Sequence, residues 1–182
     1  MFPEALNQIV GRLDQARKQR LLQSYALVGG FAVSAWGVAR ATQDIDLAVA
    51  LGPSEPKALA AHLGATYHPG DADDPLHGVF RLVLTCEGQE VPVQLIVLRQ
   101  EWADVAFSGV ETVKVLGTTV PVVNWQALVL LKLYAGGPVD RQDARNIIAV
   151  RQPTAADRHR LIAQAEALGL AQEVQALLDL PS

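Results

Sequence analysis

The sequence contains one cysteine, Cys86, among 182 residues. A single thiol excludes an internal disulfide framework and any multi-cysteine zinc cluster, and it fits a reducing cytoplasm. Charge is also sparse: Asp, Glu, Lys and Arg make up 19% of the chain against 50% hydrophobic residues. That balance excludes a disordered chain and provides for a buried core. No excess of positive charge is present, since the net charge is −4, and bulk attraction to nucleic acid or an anionic membrane is not expected. The 14 glycines and 10 prolines follow no period, so a collagen-like or linker-rich chain is excluded as well. Internal repeats and low-complexity tracts are absent. Residues 21–39 carry no charge and follow Arg17, Lys18 and Arg20, in superficial likeness to a leader or a spanning helix. Gln23, Ser24, Gly29, Gly30, Ser34 and Gly37 interrupt the stretch too often for either. The expectation is a soluble cytoplasmic protein with no membrane partner.

The hydrophobic pattern divides the chain into two parts. Leu6, Ile9, Val10, Leu13, Ala16 and Leu21 recur at helical spacing and predict a surface helix over 3–23. A short strand over 25–28, an Ala-rich helix over 31–38 and a strand over 44–50 follow. Ser54 is placed to cap a helix that closes at Gly64. Residues 68–77, with Pro69, Gly70, Asp71, Asp73, Asp74 and Pro75, read as a solvated loop. Strands over 79–86 and 91–98 form a hairpin about Gly88, a helical turn covers 102–107, and a second hairpin turns about Gly117. From Asn124 the pattern is helical: 125–134 capped by Asn124, 139–150, a helix opened by Thr154 with Asp157, and a last short helix after Gly169. The fold class is α+β, as one domain over 1–182, with an α/β core over 1–123 and a helical part over 124–182.

The segment from Leu27 to Leu47 carries the chemistry. A strand ends in Gly29-Gly30 and a helix follows at once, so backbone N–H groups become available to a phosphate. The chain then returns as a strand with Asp44 and Asp46 on one face and Ile45 and Leu47 on the other. Two carboxylates on one face suit Mg²⁺, which takes hard oxygen ligands.

Gly29-Gly30-Phe31-Ala32 followed by Arg40-Ala41-Thr42-Gln43-Asp44-Ile45-Asp46-Leu47 resembles the signature of the DNA polymerase β-like nucleotidyltransferase superfamily. The resemblance is nearest to small bacterial nucleotidyltransferase-like proteins, including abortive-infection toxin components of toxin–antitoxin systems. Trp125-Gln126-Ala127-Leu128 with Lys132, Ala135, Asp140 and Asp143 is similar to the helical region of that group. The resemblance implies a mixed β-sheet flanked by helices. It implies transfer of a nucleotidyl group from an NTP to an acceptor hydroxyl on RNA, a protein or a small molecule, with Mg²⁺ or Mn²⁺ as cofactor and a cognate antitoxin as a partner. Gly29 and Gly30 would contact the triphosphate, Asp44 and Asp46 would hold metal and act in catalysis, and Arg40, Thr42 and Lys132 would complete the site. A third carboxylate is expected on a neighbouring strand, and Gln94 occupies that position; its carbonyl is a metal donor but it takes no proton. Glu90 is four residues away, about 13 Å along a strand, too far to replace it. A nucleotide-binding or protein-interaction module with impaired catalysis is therefore the alternative function.

Other residues have plainer readings. Arg40 either binds a phosphate or neutralises the Asp44–Asp46 pair. Thr42 orders the turn into the strand. Lys132 either faces the cleft or snorkels from an apolar helix. Asp140 and Asp143 are expected to pair with Arg141 or Arg145 or to stabilise the first turns of their helix. His68 and His77 match no familiar ligand spacing, Cys86 is expected to be packed, and Ser34 lacks the setting of a hydrolase nucleophile.

Overall fold

The computed structural model describes residues 1–71 and 74–179, so Asp73 of the predicted loop lies outside the described residues. The chain begins with α1 (Phe2–Lys18), which has Pro3 and Glu4 in its first turn and Arg17 and Lys18 in its last, as the helix dipole favours. Leu6, Ile9, Leu13 and Ala16 form its buried stripe. The helix ends earlier than its apolar pattern predicts, because Arg20 takes a left-handed φ of 60° and turns the chain. Leu22 consequently belongs to the first strand, β1 (Leu22–Leu27). Helix α2 (Gly29–Ala35) starts on the glycines themselves, and β2 (Ile45–Leu51) follows.

Next come α3 (Pro56–Leu63), β3 (Thr66–Pro69), β4 (Leu76–Cys86), β5 (Gln89–Leu98) and α4 (Gln100–Phe107). Glu55 is the N-cap of α3 and makes no side-chain cap bond, so Ser54 does not serve as the predicted cap. Strand β3 takes in His68 and Pro69, which the sequence reads as the start of a loop. It is four residues long, and pairing with β4 alone makes it a strand. The β4–β5 hairpin closes through Glu87 and Gly88 at φ 53° and 75°, the backbone of a tight two-residue turn matched to sheet twist. Strands β6 (Glu111–Val115) and β7 (Thr118–Val122) form the second hairpin. Four helices follow: α5 (Trp125–Ala135), α6 (Pro138–Arg151), α7 (Ala155–Ala167) and α8 (Ala171–Leu178). Asn124 caps α5 by accepting from the Ala127 amide at 2.7 Å, and Thr154 and Asp157 cap α7 reciprocally, as predicted. Among the described residues no helix is long and apolar enough to cross a membrane.

The strands form one mixed sheet of order β3-β4-β5-β2-β1-β7-β6. β2 runs antiparallel to β1 and parallel to β5. One face bears Leu47, Leu95 and Phe80 in register, all buried; α1 covers it and α3 packs beside α1. The opposite face bears Asp46, Ala48 and Ile96, with α4 packed against β1, β2 and β5 and α5 beside α4. Towards β4 that cover stops: Arg81, Val83 and Thr85 point outward and are exposed. Helix α5 is buried through Trp125, Gln126, Ala127, Leu128, Val129 and Leu130, so Lys132 emerges from a buried helix beside the sheet.

Candidate active site

The turn between β1 and α2 fixes the first half of the site. The Val28 amide donates to the Asp46 carbonyl at 2.9 Å, which ties the end of β1 to β2. Gly29 has a φ of +63°, and a Cβ there would lie 2.1 Å from Asp46 Oδ2. A Cβ on Gly30 would lie 2.7 Å from Thr42 Cβ and 2.9 Å from Arg40 Nη1. Both glycines are thus required by the neighbours that close on the turn. Gly29→Ala is expected to cost about 1–2 kcal/mol for the left-handed backbone alone, and in addition to push the Asp46 carboxylate out of place. Urea denaturation reads the first effect; an unchanged midpoint would contradict the close approach.

Asp44 immediately precedes β2 and is held from two sides. Thr42 Oγ1 donates to Asp44 Oδ1 at 3.1 Å, and Gln94 Nε2 donates to Asp44 Oδ2 at 3.4 Å. Thr42 therefore orders the turn into the strand, as expected from sequence. Gln94 is paired in register with Asp46 on β5, so the position expected for a third carboxylate does lie beside the Asp44–Asp46 pair. Glu90, opposite Thr85 on the same hairpin, remains remote along the strand.

The remaining polar groups form a chain of ion pairs. Arg40 Nε lies 2.9 Å from Asp143 Oδ2, Lys132 Nζ lies 2.9 Å from the same oxygen, and Lys132 Nζ lies 2.8 Å from Asp140 Oδ1. These pairs decide between alternatives left open by the sequence. Arg40 pairs with Asp143 rather than directly with the Asp44–Asp46 pair. Asp140 and Asp143 serve Lys132 and Arg40 rather than Arg141 or Arg145, and Asp140 also lies in the first turn of α6. Lys132 lines the cleft instead of snorkelling to solvent, with its ammonium buried between two carboxylates. The i, i+3 spacing of Asp140 and Asp143 on α6 and the lone lysine in an apolar helix were the available signals.

A cleft of about 240 Å³ opens where these elements meet. Gly29, Asp46, Lys132 and Asp140 line its polar end, while Ala48, Ile96, Leu98, Leu128 and Leu131 line the rest. A wider polar groove, about 780 Å³, lies at the far ends of β1 and β2 beside α4 and contains none of these charged groups, so the smaller cleft is the candidate site. Burial and, secondarily, the Asp44 charge push the Asp46 pKa up to about 6, with Lys132 and Arg40 opposing the shift. The donor chemistry fits a divalent cation: two hard carboxylates press against each other with incomplete compensation, and a cation supplies the missing charge. Among the described residues no group of three His, Cys, Asp or Glu side chains is placed to hold a metal.

No family model matches the sequence, and no curated protein matches it. Among solved structures the chain is similar to the antibiotic-resistance factor ANT(2'')-Ia, with a TM-score of 0.54 and 16% identity over 95% of this chain and 97% of that one. It is also similar to an antigenic nucleotidyltransferase-like protein from Paracoccidioides brasiliensis, with a TM-score of 0.51 and 17% identity over 95% and 91% of the two chains. The fold is a nucleotidyltransferase fold. At these identities the likeness is one of architecture, and the nucleotidyltransferase fold places Gly29, Asp46 and Lys132 around one cleft with Asp44 and Gln94 beside it.

Proposed function

We propose that the protein is a divalent-metal-dependent nucleotidyltransferase, moving an NMP group from an NTP to an acceptor with release of pyrophosphate. The observation that carries this reading is the convergence of Gly29, Asp46, Lys132 and Asp140 on one cleft, with Gln94 paired in register with Asp46 and hydrogen-bonded to Asp44. Asp44 and Asp46 would hold Mg²⁺ or Mn²⁺, with Gln94 as a neutral third donor. The metal, when bound, offsets phosphate charge during the displacement. The Gly29–Gly30 backbone seats the β- and γ-phosphates through its amides at the start of α2. Lys132 and Arg40, held in place by Asp140 and Asp143, add positive charge toward the triphosphate or the acceptor. Thr42 keeps Asp44 aimed at the cleft. The motif likeness to small bacterial toxin-type proteins supports a place as the toxin component of a toxin–antitoxin pair, acting in the cytoplasm with a cognate antitoxin.

The second reading, a nucleotide-binding or interaction module with impaired catalysis, draws on the same hydrogen bond from Gln94 to Asp44, which places an amide where a base is expected. Incubation with α-labelled NTPs and Mg²⁺ separates the two. Pyrophosphate release by the wild type, lowered about 100-fold or more in Asp46→Asn, is the expected result. Nucleotide binding without turnover in the wild type, with turnover gained on Gln94→Asp, would favour the second reading.

A further inference from the structure

Four carboxylates stand at or beside the cleft. Asp44 accepts from Thr42 and Gln94, and Asp46, which the proposed function assigns with Asp44 to the metal, stands against the Gly29 turn. Asp140 and Asp143 are ion-paired to Lys132 and Arg40. The Tyr134 hydroxyl, at the cleft rim, donates to Asp74 at 3.2 Å. Beside the carboxylate pair on the next strand stands Gln94, an amide with no acid–base function. With Asp44 and Asp46 assigned to the metal and Asp140 and Asp143 ion-paired, the described cleft residues offer no further carboxylate to take a proton from an alcohol.

A second observation comes from the sheet register. Asp46, Gln94, Arg81 and Thr66 stand side by side across β2, β5, β4 and β3. Arg81 is therefore on the same face as Asp46, two strand spacings or about 10 Å away. It is exposed and makes no hydrogen bond or ion pair with the described residues. Thr66 follows it on β3, and His68 is one row along on the same face. The first acid met along this face of β5 from Gln94 is Glu90, four residues away. The sheet face that continues from Asp46 past Gln94 thus presents an arginine, whose planar fork matches a phosphate, next to the position where the third carboxylate is missing.

Building on the nucleotidyl-transfer reading, we infer that the acceptor is a phosphate monoester whose own oxyanion is the nucleophile, with Arg81 as its anchor. An anionic oxygen of the acceptor phosphate forms a new bond to the α-phosphorus. The bond from the α-phosphorus to the α,β-bridging oxygen breaks, and its electron pair leaves with pyrophosphate. No proton moves, so the missing base is not needed, and the product is a nucleotidyl phosphoanhydride. A polycationic acceptor is disfavoured by the same arginine.

The test uses the full chain with Mg²⁺ and each NTP. Labelled inorganic phosphate serves as the minimal acceptor, and ribose 5-phosphate is compared with ribose at equal concentration. The expected result is label from phosphate in NDP with equimolar pyrophosphate, and transfer to ribose 5-phosphate at least about tenfold above ribose. Arg81→Ala is expected to raise the KM for the phosphate acceptor about tenfold with a smaller change in kcat, and Arg81→Lys to recover part of it. Equal transfer to ribose, an unchanged KM in Arg81→Ala, or no labelled NDP from protein that binds Mg·NTP overturns the inference while leaving nucleotidyl transfer standing. Loss of NTP binding itself would instead remove the reading on which it rests.

Discussion

Asp143→Ala is expected to destabilise the protein by about 3–5 kcal/mol, because it breaks a buried ion pair from one side only. The Asp143 side chain is 6% exposed and touches both Arg40 and Lys132, whose side chains are 25% and 10% exposed. Its removal leaves Arg40 without its carboxylate and Lys132 with Asp140 alone. Asp140 is more exposed, at 29%, and shares only Lys132, so Asp140→Ala is expected to cost much less. Urea denaturation followed by far-UV circular dichroism measures both. Equal losses for the two variants would contradict the account of Asp143 as the hub that joins Arg40, 103 residues away in sequence, to α5 and α6.

Asp46→Asn is expected to change stability and activity in opposite directions. Burial and the neighbouring Asp44 raise the Asp46 pKa from 3.8 to about 6, so the folded state binds its proton more tightly than the unfolded chain. The folded state is then favoured at low pH, and stability falls as pH rises through the interval between those two values; above it the penalty is fully present. With a chelator at pH 7.5, the neutral variant is expected to exceed the wild type by about 2 kcal/mol. That difference should close below pH 4. Under the proposed function the same substitution removes a metal ligand and is expected to abolish nucleotide-dependent turnover. A variant that is less stable than the wild type at pH 7.5 and equally unstable at pH 4 would contradict the electrostatic account.

Much of the fold was legible because the deciding signals are local. Asn124 and the Thr154–Asp157 pair announce their helices within four residues, and Gly88 and Gly117 mark their hairpins. Gly29-Gly30 and Asp44-Ile45-Asp46 were readable for the same reason: a turn, a return strand and alternation of faces. Four features were not. The end of α1 depends on Arg20 leaving helical backbone although the apolar spacing continues to Leu21. Strand β3 has no strong pattern of its own and exists through pairing with β4. The Arg40–Asp143–Lys132–Asp140 chain joins the loop before β2 to helices near the other end of the sequence, and nothing in local spacing selects those partners over Arg141 and Arg145. The row from Asp46 to Arg81 was hidden likewise, since only the strand order brings β4 within two places of β2.

Calorimetric titration of the four NTPs into the wild type and Asp46→Asn, each with Mg²⁺ and with chelator, tests the central claim most directly. The account predicts binding that requires the metal in the wild type and is lost in the variant, which is folded and, with chelator at neutral pH, more stable. Binding that persists without metal, or that Asp46→Asn retains, would contradict the assignment of the Asp44–Asp46 cleft as the nucleotide site.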